Sequence, residues 1–116
     1  IVNVGSVSSF RPQPANSAYV AAKHGVIGLT KTGSLEYAGQ GIRVNAVLPG
    51  AINTPMFRDA LEANGFEESD FAAALSLFNR IGRPEEVGEA SAWLCSDASS
   101  YVTGHSLAVE AGYLTR

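Results

Sequence analysis

The chain has 116 residues, a mass of 12.1 kDa and a formal net charge of −3, with 46% hydrophobic and 16% charged residues. This composition suffices for one folded core and is unlike that of a disordered protein, and the acidic balance without a basic cluster argues against nucleic acid or an anionic membrane as partner. No apolar run approaches the roughly 20 residues that span a bilayer, and the single cysteine, Cys95, excludes an internal disulfide and fits a reducing cytoplasm.

The first third of the chain predicts a strand, a loop and a long helix. β-branched residues favour a strand over residues 1–4, and a loop rich in Ser, Pro, Gln and Asn follows over residues 5–17. Apolar residues then recur at helical spacing over residues 18–38. Asn16 or Ser17 is placed to cap the start of this helix, and Gly39 or Gly41 to end it.

The rest of the chain predicts two more strands separated by helices. Residues 42–48 form the second strand, stopped by Pro49 and Gly50, and residues 51–83 contain one or two short helices. Another helix begins at Pro84, and residues 105–109 form the third strand. The buried stripe of that last helix is predicted to be Val87, Ala90, Trp93 and Leu94.

Strands that alternate with helices predict an α/β fold with a parallel sheet. A parallel sheet has to be covered on both faces, and three strands make an incomplete doubly wound sheet. We therefore expect further strands upstream of Ile1, in a longer chain.

Three polar residues near the first strand form the sharpest candidate site. Tyr19 and Lys23 are four residues apart, which places both side chains on one face of the predicted helix. A nearby ammonium favours the phenolate form, so it would let a tyrosine carry a proton near neutral pH. Ser6 precedes Tyr19 by 13 residues, enough for the loop to bring its hydroxyl beside the phenol. Together the three could hold and protonate a carbonyl oxygen.

A second signal follows the second strand. Pro49 and Gly50 turn the chain sharply at the carboxyl end of that strand, where ligands bind in open α/β sheets. Glycine lets a ligand approach the main chain, and Thr54 adds a hydroxyl that can meet an amide or a phosphate.

The ordered set of motifs resembles the short-chain dehydrogenase/reductase family in its single-domain branch. The sequence IVNVGS at residues 1–6 is similar to the strand that carries a catalytic serine. YVAAK at residues 19–23 is similar to the Y-x-x-x-K signature. RVNAVLPG at residues 43–50 and GRPEEV at residues 82–87 extend the likeness, as does YVTG at residues 101–104. The likeness runs from Ile1 to about Gly112.

This resemblance implies the C-terminal part of a Rossmann-like doubly wound sheet, so that residues 1–116 are the C-terminal portion of one NAD(P)-binding domain. It implies hydride transfer between NAD or NADP and an alcohol or ketone, with Tyr19 as general acid/base and Ser6 polarising the substrate oxygen. Lys23 would hold the nicotinamide ribose. Tyr19 and Lys23 thus also count as cofactor contacts, together with four residues after the second strand: Pro49, Gly50, Ile52 and Thr54.

Two departures from the family pattern stand out. Glu110-Ala111-Gly112 stands where the family has an acidic residue and two glycines. The glycine-rich dinucleotide loop, the residue that selects NAD or NADP and a catalytic asparagine all belong before Ile1. Nothing here replaces the loop, because Gly39-Gln40-Gly41 is followed by Val44 where G-x-G-x-x-G needs glycine. We therefore expect the chain alone to bind a dinucleotide weakly or not at all, and to be inactive.

Two other functions compete with the dehydrogenase hypothesis. Residues 104–108, GHSLA, nearly match the G-x-S-x-G elbow of serine hydrolases, although a strand rather than a helix is predicted after Ser106. The second alternative is a non-catalytic fragment or assembly module of the family fold that lacks cofactor binding. His24 and His105 have no metal-ligand spacing, and Cys95 is predicted to be a core residue.

The substrate class and the oligomeric state are indicated less directly by the sequence than the site residues are. Residues 56–78, where the family carries its substrate lid, are rich in phenylalanine and leucine, which favours an apolar or alicyclic alcohol or ketone. The first long helix, with its small residues Ala22, Gly25 and Gly33, and the last strand both resemble family subunit contacts. The resemblance therefore implies a homo-oligomer, either a tetramer or a dimer.

Overall fold

A computed structural model describes all residues, 1–116, as three strands and four α-helices. The strands are β1 (Val2–Val4), β2 (Asn45–Pro49) and β3 (Ser106–Val109). They form one parallel sheet in the order β1-β2-β3, with Val4 opposite Val47 and Leu107 opposite Val47 on the other side. The helices are α1 (Ser17–Tyr37), α2 (Pro55–Asn64), α3 (Glu68–Leu75) and α4 (Pro84–Cys95). The predicted α/β class with a parallel sheet is confirmed.

The central strand β2 forms the core of the molecule. Asn45, Ala46, Val47 and Leu48 are all 0% exposed, as expected for a parallel strand covered on both faces. Ala46 and Leu48 pack on Ile27 of α1. Asn45 and Val47 point to the opposite face because side chains alternate along a strand.

Asn45 is the one polar side chain of this strand, and both its nitrogen and its oxygen are hydrogen-bonded. Its amide nitrogen donates to the carbonyl of Val102 at 2.9 Å, and its oxygen accepts from the His105 amide at 3.0 Å. A buried polar group without partners would cost about 1–3 kcal/mol. Asn45 thus fixes the segment that leads into β3.

The second strand starts later than predicted, at Asn45 instead of Ile42. Gly41 has a left-handed backbone with φ 75°, and the chain is still turning at Ile42, whose N–H donates back to Tyr37 at 3.3 Å. The amide of Val44 then donates to the Thr103 hydroxyl at 3.1 Å instead of joining a strand ladder. Alternating apolar residues alone did not reveal this turn.

Helix α1 is confirmed, but its sheet-facing side is partly polar. Its buried residues are Ile27, Thr30 and Ser34, whereas the apolar Leu35 is 84% exposed. The Thr30 hydroxyl donates to the Val26 carbonyl at 2.7 Å and accepts from the amide of Asn3 at 3.0 Å. The buried Thr30 hydroxyl therefore joins α1 to Asn3 of β1 through a hydrogen bond.

Helix α4 begins at Pro84 as predicted, but the prediction that Trp93 and Cys95 are core residues is wrong. Leu94 is 1% exposed, whereas Trp93 is 43% exposed and Cys95 is exposed. Successive helical residues are about 100° apart, so the neighbours of a residue that faces the sheet point away from it. Trp93 does not belong to the buried stripe, and Cys95 is not a core residue.

The start of α4 is joined to the preceding loop by charge. The Glu86 carboxylate accepts from Arg80 at 2.6 Å and from the Arg83 amide at 2.7 Å. The hydrogen bond from Arg80 is the main cause that lowers the pKa of Glu86 to about 2.

None of the helices has the length and apolar character needed to cross a bilayer.

Candidate active site

Ser6 lies directly after β1 and begins a short turn that holds its hydroxyl. The Gly5 amide extends the ladder by donating to Val47 at 2.9 Å, and a 3₁₀ turn then runs over Val7–Ser9. Ser6 caps this turn, because its Oγ accepts from the Ser8 amide at 3.1 Å. Ser6 is 8% exposed. Its own O–H proton remains available to a ligand.

Gly5 is required where it stands. A Cβ on this residue would lie 2.4 Å from Cδ2 of Leu48, a distance that no side chain reaches without displacement. Glycine thus lets the end of β1 pass close to β2 and places the next residue, Ser6, at the edge of the sheet.

Tyr19 and Lys23 lie together on the first turns of α1, as predicted. The Lys23 Nζ is 5.6 Å from the centroid of the Tyr19 ring, and Tyr19 is 37% exposed. The same ammonium donates to the carbonyl of Val4 at 3.0 Å. Lys23 therefore joins the helix to the last residue of β1, immediately before the serine turn.

The segment after β2 leaves Ile52 with free backbone groups. Ile52 pairs with Gly82 in an isolated bridge, in which the Gly82 amide donates to Ala51 at 2.9 Å and the Asn53 amide donates to Gly82 at 2.8 Å. The N–H and C=O of Ile52 itself make no hydrogen bond within the chain. They are available to a ligand amide.

Thr54 and Gly50 have local structural roles beside any ligand role. Thr54 caps α2, because its hydroxyl accepts from the Phe57 amide at 3.3 Å, and Pro55 follows at the first helical position. A Cβ on Gly50 would lie 2.8 Å from Cα of Glu110. Only glycine lets the ends of β2 and β3 approach this closely.

One cavity of about 620 Å³ brings all the predicted site residues together. The three candidate catalytic side chains line it beside the carboxyl ends of β1 and β2. The four predicted cofactor contacts at and after the end of β2 line it too, although Pro49 is the last residue of the strand and does not stop it as predicted. These seven residues are Ser6, Tyr19, Lys23, Pro49, Gly50, Ile52 and Thr54.

The wall opposite the sheet comes from α2 and α3, which together are called the lid below. The lid contributes mostly apolar side chains to the cavity: Met56, Phe57, Ala60, Phe71 and Leu75. The Phe57 and Phe71 rings meet edge to face with centroids 6.0 Å apart. No residue of α2 is buried, and Ala72 is the one buried residue of α3.

Sequence reasoning missed the contribution of the C-terminal segment. Tyr113 is 9% exposed and lines the cavity. The Arg11 guanidinium carbon lies 4.4 Å from the centroid of the Tyr113 ring, and its Nη1 donates to the Tyr113 carbonyl at 3.0 Å. These two residues are 102 positions apart, and no local pattern signals such a contact.

The structure contradicts the serine hydrolase alternative. Ser106 is the first residue of β3, which continues to Val109, whereas the hydrolase elbow needs a sharp turn from a strand into a helix at the serine. Its hydroxyl is buried and has no hydrogen-bond partner. His105 and His24 are both exposed.

Comparisons with known proteins agree with the motifs. A family model described as enoyl-(acyl carrier protein) reductase matches residues 1–114. A short chain dehydrogenase/reductase of Aspergillus oryzae is 46% identical over 112 residues, which are 97% of this chain and 43% of that protein. The chain belongs to the short-chain dehydrogenase/reductase family. The family resemblance of the sequence is thereby confirmed.

Another curated relative and two solved structures match over the same region. A cyclohexanol dehydrogenase of an Acinetobacter species is 44% identical over 116 residues, 100% of this chain and 43% of that protein. The aldohexose dehydrogenase of Thermoplasma acidophilum, solved without ligand, superposes with a TM-score of 0.95 at 40% identity, over 100% of this chain and 48% of that one. The structure of ElxO with NADP bound gives a TM-score of 0.90 at 32% identity, over 100% of this chain and 46% of that one. The chain spans less than half the length of each of these relatives.

Proposed function

We propose that the protein to which this chain belongs is an oxidoreductase that transfers a hydride between a nicotinamide cofactor, NAD or NADP, and an alcohol or ketone. The observation that carries this proposal is the convergence of Ser6, Tyr19 and Lys23 on one cavity. The family relationship supports it, since the matched relatives are named dehydrogenases or reductases.

The residues present fit the nicotinamide end of such a cofactor. Lys23 has three N–H donors and uses one on Val4, which leaves two for ribose hydroxyls. The free N–H and C=O of Ile52 suit a carboxamide, and the Thr54 hydroxyl lies beside them in the same cavity wall. When bound, the cofactor would supply or accept the hydride. NADP in the related ElxO structure supports a cofactor of this class.

The proton chemistry would belong to the chain's own residues. The Ser6 hydroxyl, whose oxygen already accepts from Ser8, would donate a hydrogen bond to the substrate oxygen and keep its proton, and such coupled hydrogen bonds strengthen one another. Tyr19 would give a proton to that oxygen in reduction and take it back in oxidation. The Lys23 ammonium, 5.6 Å from the Tyr19 ring, would stabilise the negative charge that develops on the phenol oxygen.

We infer an apolar or alicyclic substrate from the composition of the lid. Phe57, Phe71 and Leu75 line the cavity and offer no charged partner to a substrate. The activity named for the Acinetobacter relative, on cyclohexanol, agrees with this inference. A kinetic preference for a phosphorylated or otherwise multiply charged substrate would contradict it.

We further propose that residues 1–116 are the C-terminal portion of one NAD(P)-binding Rossmann-like domain, in a homo-oligomer with two or four subunits. The fraction of each relative that the chain spans supports the first part. The exposed small residues of α1, Ala22 and Gly25 with the exposed Leu29, support the second. A monomer by light scattering of the full-length protein would contradict the assembly.

The test of the catalytic role is Tyr19→Phe in the full-length protein. We expect kcat/KM for a cyclic alcohol to fall by roughly 10²–10⁴-fold, the usual contribution of a general acid/base, while binding of NAD(P)H, followed by its fluorescence, persists. The matched control is Tyr37→Phe, because Tyr37 is an exposed tyrosine of the same helix outside the cavity. Retained turnover in Tyr19→Phe would refute the role of Tyr19. A wild-type protein that neither binds NAD(P)H nor turns over any alcohol would favour the non-catalytic module instead.

A further inference from the structure

Ser9 joins the two elements that carry the candidate catalytic side chains. Its hydroxyl donates to the Lys23 carbonyl at 2.8 Å and accepts from the Ser6 amide at 3.2 Å. Ser9 is 2% exposed, so water does not compete for these bonds. One buried hydroxyl therefore contacts the backbone of both Ser6 and Lys23.

The middle of the loop that connects these two elements is not joined to the rest of the chain by hydrogen bonds. Residues 12–15 make no hydrogen bond with the rest of the chain, and Pro12 and Pro14 have no N–H to donate. Most residues of this loop are exposed. The position of Ser6 relative to Tyr19 and Lys23 therefore depends on contacts through space.

Two such contacts join the serine turn and the end of β1 to Lys23, and they differ in kind. One uses the Lys23 ammonium, which donates to Val4 and is the group proposed to hold the ribose. The other uses the Lys23 carbonyl and the Ser9 hydroxyl, neither of which has a role in the proposed reaction. The second contact is independent of what the ammonium binds.

We infer that Ser9 is a positioning residue: its hydroxyl sets the distance between the Ser6 hydroxyl and the Tyr19–Lys23 pair. This inference rests on the proposed function. A misplacement of about 1 Å in a catalytic group can cost about 10²-fold in rate. Loss of the Ser9 hydroxyl should therefore lower kcat with little change in the binding of the substrate or of the nicotinamide cofactor.

The experiment compares Ser9→Ala with Ser34→Ala in the full-length protein. Ser34 is the matched control, because it is also buried and donates to a carbonyl of α1, that of Lys31, at 2.8 Å, but does not line the cavity. We expect Ser9→Ala to lower kcat roughly 10- to 100-fold. KM and the affinity for the cofactor should each change by less than about threefold. Ser34→Ala should keep the wild-type kcat per folded subunit.

A double-mutant cycle with Ser6→Ala separates positioning from general structural damage. If Ser9 acts by placing Ser6, its effect on kcat should shrink to less than about threefold once Ser6 has lost its hydroxyl, as for residues that act as a unit. Independent, multiplicative effects in the double variant would overturn the inference. If Ser9→Ala does not fold, Ser9→Cys replaces it in the same cycle, since a thiol is a weak donor and acceptor.

Hydrogen exchange tests the contact without any turnover. The Ser6 amide has the Ser9 hydroxyl as its partner, so it should exchange at least tenfold faster in Ser9→Ala and unchanged in Ser34→Ala. Faster exchange with an unchanged kcat would make Ser9 a structural residue only. A wild-type protein without dehydrogenase activity would refute the proposed function, whereas an active wild type with an active Ser9→Ala would refute this inference alone.

Discussion

At the scale of single residues, the turn after β3 carries two adjacent left-handed positions that the sequence fills differently. Ala111 has φ 51° and Gly112 has φ 81°. A Cβ on Gly112 would lie 2.3 Å from Cδ1 of Leu77, whereas Ala111 already carries a Cβ in a conformation that costs an L-residue about 1–2 kcal/mol. The departure from the family's two glycines therefore falls at the position where a side chain fits but is strained.

Substitutions at these two positions should have opposite effects. Ala111→Gly relieves the strain but gives the unfolded chain more freedom. We therefore expect it to leave the free energy of unfolding unchanged or to raise it by up to about 1 kcal/mol. Gly112→Ala adds both strain and a clash, and should destabilise by about 2–5 kcal/mol. Urea denaturation of the full-length protein measures both. A loss of stability in Ala111→Gly comparable to that in Gly112→Ala would contradict the assignment of strain to Ala111.

Single-residue predictions from sequence succeeded where the spacing is local. Tyr19 and Lys23 are four apart on a helix, so one period fixes their shared face, and both line the cavity. Tyr113 and Ser9 were missed for different reasons. Tyr113 reaches the cavity through a contact with a loop 102 residues away, and a serine next to other serines gives no sign of which hydroxyl will be buried.

At the scale of elements, the lid is held by few contacts, and one of them comes from the last residue. Arg116 donates to the carbonyls of Ala73 and Ala74 at 3.0 Å each and to that of Ser76 at 3.4 Å. Carbonyls in the last turn of a helix have no helical partner. Arg116 thus supplies hydrogen bonds at the C-terminal end of α3 that the helix itself cannot make.

Removal of this side chain should loosen α3 alone. We expect Arg116→Ala to lower the free energy of local opening of α3 by about 1–2 kcal/mol, which corresponds to roughly 5- to 30-fold faster amide exchange in that helix. The conservative variant Arg116→Lys keeps the charge but not the planar set of donors, and should give an intermediate effect. Exchange that rises equally in α1 would show global destabilisation and not a local contact.

Element types were predicted well, and element faces less well. The parallel sheet and α1 follow from periodicity and from turn residues, whereas the prediction of one or two short helices over residues 51–83 left open the number that the structure shows to be two. The assignment of Trp93 and Cys95 to the core was wrong because hydrophobicity alone does not say which side of a helix meets the sheet. Leu94, between them, occupies that side.

At the scale of the whole molecule, the three charged residues at the start of α4, Arg80, Arg83 and Glu86, make stability depend on pH. Arg80 and Arg83 hold the pKa of Glu86 at about 2, below its ordinary value of 4.5. A carboxylate whose pKa is lowered in the folded state stabilises that state at neutral pH, and the contribution is lost as the pH falls from about 4.5 to about 2.

Glu86→Gln should therefore lower stability at neutral pH and have a shrinking effect as acid is added. Urea midpoints of wild type and variant should converge as the pH approaches about 2, where the wild-type carboxylate also becomes neutral. Glu89→Gln is the matched control, since Glu89 lies on the same helix and makes no ion pair. A difference between Glu86→Gln and wild type that stays constant across this range would contradict the role of the charge.

The two walls of the cavity differ in their tolerance to mutation. One wall is built on the ends of β1 and β2, where Ala46, Val47 and Leu48 are fully buried and truncation of Leu48 to alanine would cost about 2–5 kcal/mol. The other wall is the lid, in which Ala72 alone is buried, and surface changes usually stay within about 0.5 kcal/mol. Selection for a new substrate can therefore act on residues 55–75 while the fold and the proton-transferring side chains stay intact. Evolvability in this protein is concentrated in a segment that its stability hardly needs.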